Sequence, residues 1–321
     1  LDLISIARET FEIEAESLLK ASRELDQSFV DAVELIESTS GKLIVTGVGK
    51  SGHVGVKMAA TFASTGTASF FLHPTEALHG DLGMIGKGDS VIAISYSGES
   101  EELIKILPHI KRFEIPLIGI TADPSSTLGR YADVILSIVV DKEACPLGVA
   151  PTTSTTLTMA MGDALSVVLM KKRGFREEDF ASFHPGGSLG KRLFVKIKDL
   201  MRQDNLPIIK EATPLQEAIV VMSEGKLGNV LIVDSSNRLI AILSDGDLRR
   251  ALMRDDFDLS HKALDYATKE PKSYKNSELL ASEALEIIEE NRIQLLIITD
   301  EIGRVDGILH IHDLVTAGIK R

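Results

Sequence analysis

Lys50, Glu102, Glu143 and His184 are side chains that could together move a proton between neighbouring carbons of a sugar. An aldose–ketose isomerisation of a sugar phosphate needs an anchor for the phosphate and a group that helps open the ring. It also needs a base between C1 and C2, and polarisation of the oxygens as the enediol forms. Two glycine- and serine-rich turns supply the anchor, each running straight off an apolar strand pattern and into helical sequence. The first is Leu43-Ile44-Val45-Thr46-Gly47-Val48-Gly49-Lys50-Ser51-Gly52, and the second is Val91-Ile92-Ala93-Ile94-Ser95-Tyr96-Ser97-Gly98-Glu99-Ser100. Glycine lets the backbone approach an anion, while hydroxyls and the free N–H groups of the following helix donate to it. The expected phosphate contacts are Gly49, Ser51, Gly52, Ser95, Ser97, Gly98 and Ser100.

Lys50 could meet developing negative charge on a sugar oxygen or the phosphate itself. Glu102 opens the helix after the second turn and is the first choice for the C1/C2 proton, with Glu143 second. His184 stands in the non-helical run Ser182-Phe183-His184-Pro185-Gly186-Gly187, where an imidazole can trade protons near neutrality. Blander readings exist for each: Glu102 and Glu143 as solvated carboxylates at helix starts, His184 as a turn residue, Cys145 as a small buried hydrophobe. Thr46-Gly47-Val48-Gly49-Lys50-Ser51 lacks the spacing of a nucleotide P-loop. Gly47, Gly49 and Gly52 do meet a dinucleotide fingerprint, but the serine-rich second turn has no role in that reading. His73, His79 and His184 form no recognised ligand set, so no metal is expected, and one proton relocation requires no redox cofactor.

The elements that must position these groups alternate. Residues 1 to about 40 read as one long amphipathic helix. Strands are expected over 43–48, 69–73, 89–95, 116–121 and 134–140, with helices over 54–65, 101–112 and 152–173. Apolar strand runs separated by helices indicate an α/β layer with a mostly parallel sheet covered on both faces. Its ligand belongs at the carboxyl ends of the strands, where both turns fall.

Past Gly187 one pattern occurs twice, each copy read as helix, helix, strand, short turn, strand and helix, from Pro214 through Arg249 and from Glu278 through Leu314. An offset of 66 residues superposes Ala218 on Ala284, Asp234 on Asp300, Arg238 on Arg304, Ile242 on Ile308, Asp247 on Asp313 and Leu248 on Leu314. That agreement at one ungapped register indicates an internal duplication, packed as a two-fold pair.

At 321 residues the chain can hold one medium α/β domain and something smaller beside it. A net charge of −12 argues against nucleic acid as the main partner. No stretch approaches the ~20 apolar residues that span a bilayer, and the first residues lack a signal-peptide layout, so no membrane association is expected. A single cysteine gives no disulfide framework, and the cytoplasm is the expected compartment.

Several longer runs carry a specific resemblance: Gly47-Val48-Gly49-Lys50-Ser51-Gly52-His53, Ala59 through Gly66, His79-Gly80-Asp81-Leu82-Gly83, Lys142 through Gly148, Pro151 through Thr156, and His184-Pro185-Gly186-Gly187. Together they resemble the bacterial arabinose 5-phosphate isomerases, in which a sugar isomerase (SIS) domain is followed by two cystathionine-β-synthase-type (CBS) repeats. The resemblance covers essentially the whole chain and implies a SIS-type three-layer sandwich over 1–190, then a tandem CBS pair over 191–258 and 259–321. It implies interconversion of D-ribulose 5-phosphate and D-arabinose 5-phosphate, feeding lipopolysaccharide or capsule synthesis, with Lys50, Glu102, Glu143 and His184 as the catalytic group. Thr65, His79, Thr152 and Thr153 lie in its motifs as candidates for substrate contact. Tyr96 is a departure, since the family pattern usually has asparagine there.

The resemblance further implies a homo-oligomer, a tetramer, in which His184 reaches a neighbouring subunit's site. In such repeats a small hydroxyl residue followed three positions on by Asp meets the ribose of an adenine nucleotide. Ser244 and Asp247 preserve that arrangement, while the second copy keeps Asp313 and replaces the hydroxyl with His310. A nucleotide or sugar-nucleotide effector and a plain packing module are both open readings of the pair. The alternative for the whole chain is a non-catalytic sugar-phosphate sensor using the same turns; a purely structural oligomerisation protein leaves them unexplained.

Overall fold

The computed structural model describes residues 1–319; the last two residues of the expected second repeat, Lys320 and Arg321, lie outside them. The chain divides into two compact units, the first covering Leu1–Phe183 and the second beginning at His184.

The first unit opens with α1 (Leu3–Glu24) and α2 (Gln27–Ser38) in place of one continuous helix. The break has a local cause: Asp26 takes an extended backbone, and its carboxylate accepts the Ser28 N–H at 2.9 Å, starting α2 afresh. The apolar stripe runs across both helices, so periodicity alone does not register the break. Next come β1 (Leu43–Gly47), α3 (Gly49–Ser64), β2 (Ser69–Phe71), α4 (Pro74–Leu78), β3 (Ser90–Ile94), α5 (Glu101–Arg112), β4 (Leu117–Thr121), α6 (Thr127–Tyr131), β5 (Val134–Ser137), α7 (Thr153–Arg173) and α8 (Glu177–Phe183). The strands form one fully parallel sheet in the order β2-β1-β3-β4-β5.

Strands β1, β3 and β4 are buried along their whole length, as uninterrupted apolar runs in a parallel sheet require. On one face Val45, Ile92, Ile94, Ile118 and Ile120 pack with Met58 and Phe62 of α3 and Leu157, Leu165 and Leu169 of α7. On the other, Ile44, Val91, Ala93 and Leu117 pack with Leu103, Ile106, Leu107 and Ile110 of α5. The result is helix, sheet, helix. The second strand stops at Phe71, short of the expected His73, because His73 becomes the cap of α4 and accepts the Thr75 N–H through Nδ1. Likewise β5 ends at Ser137 and not at Val140.

The second unit contains α9 (Ser188–Phe194), α10 (Ile197–Leu200), β6 (Ile208–Lys210), α11 (Leu215–Gly225), β7 (Asn229–Val233), β8 (Leu239–Ser244), α12 (Asp245–Ala251), β9 (Thr268–Lys269), β10 (Ser273–Tyr274), α13 (Ala281–Glu290), β11 (Leu295–Thr299), β12 (Val305–His310) and α14 (Ile311–Thr316). Each copy has one helix before its hairpin where two were expected, and a short strand ahead of the copy pairs in parallel with the first strand of that hairpin. Pro214 instead caps the one helix of the first copy, which starts at Leu215.

The 66-residue offset carries β7 onto β11 and β8 onto β12, including the irregularity at Ile232/Val233 and its counterpart at Ile298/Thr299. Both hairpin turns are built alike, with Asp234 accepting the backbone N–H and Nε of Arg238, and Asp300 those of Arg304. Arg238 and Arg304 themselves bridge, and the equivalent pairs Leu231/Ile297 and Ile242/Ile308 share one apolar cluster, as a two-fold pairing of copies demands. Among the described residues no helix is long and apolar enough to cross a membrane.

Candidate active site

Between β1 and β3 the sheet order reverses, and the helices that follow leave toward opposite faces. A doubly wound sheet opens a crevice at such a switch point, at the carboxyl ends of its strands. Both glycine- and serine-rich segments stand there, since Gly47 and Ile94 are register partners on neighbouring parallel strands.

The first segment is not a loop but the opening turn of α3. Helix begins at Gly49, five residues earlier than its pattern suggests, and the Gly52 N–H already bonds the Val48 carbonyl at 3.2 Å. Close packing is the cause: a Cβ on Gly52 would lie 2.9 Å from the Gly47 carbonyl oxygen, and one on Gly47 would lie 3.0 Å from that of Ile94. Lys50 is exposed on this first turn, and Ser51 is half-buried.

The second segment is a tightly bonded turn. Ser95 is buried, and its Oγ accepts the Gly98 N–H at 3.1 Å and pairs with Ser100 Oγ at 2.9 Å. Ser95 and Ser100 thus shape the turn, leaving Ser97 exposed at its crest and Tyr96 pointing outward. The Tyr96 carbonyl accepts Thr121 Oγ1 at 3.1 Å and the Ala122 N–H at 2.9 Å, so its backbone is fixed whatever its side chain. Glu102 is exposed on the first turn of α5.

Helix α7 runs alongside α3 in the same direction. Asp163 pairs with Lys57, and Arg173 Nη1 reaches Gly66 O at 3.2 Å and Thr67 Oγ1 at 2.6 Å near the far end of α3. The N-terminus of α7 therefore lies on the same edge as Lys50, bringing Glu143, Thr152 and Thr153 there. Glu143 Oε2 accepts the Thr152 N–H at 2.7 Å, Thr152 Oγ1 at 2.9 Å and the Ser154 N–H at 3.3 Å. The Ala144 N–H donates to the hydroxyls of Thr152 at 2.9 Å and Thr153 at 3.1 Å. Burial pushes the Glu143 pKa up, but these hydrogen bonds, led by the Ser154 side chain, outweigh it and hold the carboxyl below its ordinary value.

A depressed pKa stabilises the fold only while the group is ionised, so this contribution is complete above the ordinary glutamate range and fades as pH falls through the folded value. Glu143→Ala should lower stability by about 1 kcal/mol near neutral pH, as loss of a helix cap does. Urea unfolding of both proteins at pH 7 and at pH values below about 4 should show the gap closing in acid; a pH-independent gap would mean that the ionised carboxylate is not what holds the loop.

One expected contact falls elsewhere in the first unit. Thr65 caps the far end of the 16-residue α3, bonding Thr61 O at 2.7 Å. At about 1.5 Å rise per residue it lies ~24 Å from the first turn of that helix. His79 is exposed at the C-terminus of α4, beyond the carboxyl end of β2. His184 is the first residue of the second unit. Cys145 is half-buried, not a core hydrophobe, and backbone N–H groups led by those of Ala150 and Leu147 hold its thiol below the usual range.

Sequence reading missed the support behind the second turn. Gly98 has φ of 68°, and a Cβ there would lie 1.9 Å from Ser126 Oγ. The Gly98 carbonyl accepts the Leu128 N–H at 3.1 Å, and Glu99 Oε1 accepts the Thr127 N–H at 2.6 Å. The run Asp123-Pro124-Ser125-Ser126 is a recognisable helix-start signature, but nothing in its spacing says which turn it braces.

In the second unit, a cavity of about 760 Å³ is lined by Ser244, Asp247, Arg249, Arg250, Lys272 and Arg292 among others. Asp247 is occupied: Oδ2 accepts the Ser244 N–H at 2.9 Å and its hydroxyl at 2.6 Å, while Oδ1 takes Arg250 and Thr268 Oγ1. In the equivalent place of the second copy, His310 is buried, its Nδ1 accepts the His312 N–H at 3.2 Å, and Asp313 faces Arg202 at 3.6 Å. Burial and the neighbouring His312 lower the His310 pKa.

A parallel sheet with phosphate-type turns at its switch point, followed by a duplicated strand–helix–hairpin–helix module, defines a sugar isomerase domain protein with a CBS pair. Family models agree, the SIS domain matching residues 36–168 and the CBS domain residues 197–254 and 265–320. The chain is 46% identical over 321 residues to arabinose 5-phosphate isomerase KdsD of Francisella tularensis, covering 99% of this chain and 98% of that one. To the enzyme of the same name from Pseudomonas aeruginosa it is 45% identical over 320 residues, with the same coverage. Among solved structures, an Escherichia coli CFT073 protein in complex with arabinose 5-phosphate matches 57% of this chain and 98% of its own length, with 41% identity and a TM-score of 0.56. The chain belongs to the arabinose 5-phosphate isomerase family.

Proposed function

We propose that the protein interconverts D-arabinose 5-phosphate and D-ribulose 5-phosphate through a cis-enediol in the cytoplasm, supplying the eight-carbon acid sugar Kdo for lipopolysaccharide or capsule. The observation that carries this reading is the switch-point crevice, where Lys50 and Glu102 stand exposed on the first turns of two helices that leave adjacent parallel strands. Kinship with enzymes named for this activity supports catalysis.

In the proposed mechanism Ser51, Ser97 and the amides of both segments take the phosphate, with Gly49, Gly52 and Gly98 permitting close approach and Ser95 and Ser100 fixing the second turn. Glu102 removes the proton from C2 of the open-chain aldose and returns it to C1. The O2 hydroxyl proton passes to O1 with help from His184, which also assists ring opening and acts from a neighbouring subunit. Lys50 faces the charge that develops on the enediol. Glu143, its Oε2 engaged by three donors, is a weak base; it keeps the 141–152 loop and Thr152 and Thr153 in place. His79 remains a candidate contact from the β2 side, and Thr65 one that only another subunit's site could use.

The assembly is a homo-oligomer, a tetramer. Helix α1 spans 22 residues with none buried, and Ile4, Phe11 and Leu19 are exposed along it. The CBS pair binds a nucleotide or sugar-nucleotide effector in the cleft carrying Ser244 and Asp247, while His310 fills the equivalent place beside Asp313.

The test is turnover of purified protein with arabinose 5-phosphate, ribulose 5-phosphate, ribose 5-phosphate and glucosamine 6-phosphate. Only the first two should react, and in deuterated solvent label should enter C1 of the ketose or C2 of the aldose; failure with both would overturn the reading. Truncation after Gly190 should retain part of the activity, since Lys50, Glu102, Glu143 and His184 all precede that point. A truncated protein that is soluble and oligomeric yet inactive would assign the C-terminal module a part in the active conformation.

A further inference from the structure

Glu99 poses an electrostatic problem. It is an acidic residue inside the turn assigned to hold a phosphate dianion, where a free carboxylate would repel the ligand it is meant to serve. The structure shows the carboxylate drawn aside: Oε1 accepts the N–H of Thr127, the first residue of α6, at 2.6 Å. The neighbouring bonds pull the same way. Leu128 N–H holds Gly98 O at 3.1 Å, Thr121 Oγ1 and Ala122 N–H hold Tyr96 O, and Ser97 Oγ accepts the Glu99 N–H at 3.2 Å. The turn is thus bolted at several points to the stretch from Thr121 to Leu128, and Glu99 is the only side chain of the turn that reaches that stretch among the described hydrogen bonds.

We infer that Glu99 is a positioning residue for phosphate recognition: its bond to Thr127 fixes the Ser97–Ser100 crest in its binding shape and keeps its own charge away from the ligand. This inference rests on the proposed function only in taking the ligand to be a sugar phosphate. Glu99 touches no reacting atom in this account, so its removal acts on binding and spares chemistry.

Two independent variants break the same bond. Glu99→Ala removes the acceptor. Thr127→Pro removes the donor at the first helical position, where proline is well tolerated, and Ser126 before it is already extended with φ −60° and ψ 168°. Each should raise KM for arabinose 5-phosphate, and the inhibition constant of inorganic phosphate, about tenfold with kcat changed less than about twofold, the loss of one charge-assisted hydrogen bond. The double variant should be no worse than either single one, because both delete one interaction. Glu99→Gln, whose amide oxygen still accepts the Thr127 N–H, should stay near the original protein.

Tighter phosphate binding in Glu99→Ala would show that the carboxylate merely repels the ligand and would overturn the inference. So would a fall in kcat at unchanged KM, additive effects of the two single variants, or a Gln variant as impaired as Ala. Calorimetric titration with inorganic phosphate separates this from the activity itself. If the unaltered protein turns over no pentose phosphate yet loses phosphate affinity in both variants, the isomerase reading fails and the positioning role stands; if it binds no phosphate at all, the positioning role fails.

Discussion

Glu102→Gln should lower kcat about 100-fold or more while substrate binding remains measurable, because a proton carrier acts chiefly in the transition state. The geometry sharpens this expectation by separating the two glutamates. Glu143 is held ionised by the donors at the start of α7, and a carboxylate with a depressed pKa takes up a carbon-bound proton poorly. Glu102 is exposed beside the second turn on the first turn of α5, within the crevice that the sheet reversal opens. The amide keeps its size and hydrogen-bonding shape but cannot carry the proton. Steady-state kinetics with arabinose 5-phosphate, together with solvent-deuterium incorporation, checks it. Near-normal turnover in Glu102→Gln would remove Glu102 from the role and return Glu143 to consideration despite its bonds.

Those two glutamates also mark where the sequence is legible and where it is not. Apolar runs such as Val91–Ile94 read as buried parallel strands because both faces of each strand are covered, and helix 101–112 reads correctly because its apolar spacing is strong. The duplication is legible because a single offset aligns ion-paired turns and core positions in both copies. What periodicity misses is set by partners far along the chain. Glycine's poor helix propensity makes Gly49–Gly52 read as loop, yet close approach of Gly52 to Gly47 starts α3 there. A carboxylate after β5 reads as a rim residue, and only the fold shows Thr152 and Ser154 closing on Glu143 from nine and eleven residues away. Thr65 sits in one of the runs that carry the resemblance, but the length of α3 carries it to the far end of that helix.

Gly98→Ala should lower kcat/KM for arabinose 5-phosphate about 100-fold, since displacement of a site by about an ångström is enough for such a loss, and should weaken binding of inorganic phosphate in the same direction. Gly98 has φ of 68°, a conformation that costs an L side chain on the order of 1 kcal/mol. The larger effect is steric: the new Cβ would lie 1.9 Å from Ser126 Oγ and 2.4 Å from Ser126 Cβ. Ser126 cannot easily retreat, because it is buried, its Oγ donates to Asp123 O at 2.6 Å, and the same oxygen accepts the Gly129 N–H at 3.2 Å as the cap of α6. The turn must therefore move, taking Ser97 and the amides of its crest with it. Two further variants separate the causes. Gly148 also has positive φ, 65°, but nothing within 4 Å of its added Cβ, so Gly148→Ala carries backbone strain without a clash and should leave phosphate affinity nearly intact. Ser126→Gly removes both of the closest clashing atoms at the cost of only a few tenths of a kcal/mol in capping, so Gly98→Ala combined with Ser126→Gly should recover most of the lost affinity. Calorimetry on the four proteins checks this. No recovery in the double variant would mean that left-handed backbone strain, and not the press of α6 against the turn, is what Gly98 relieves.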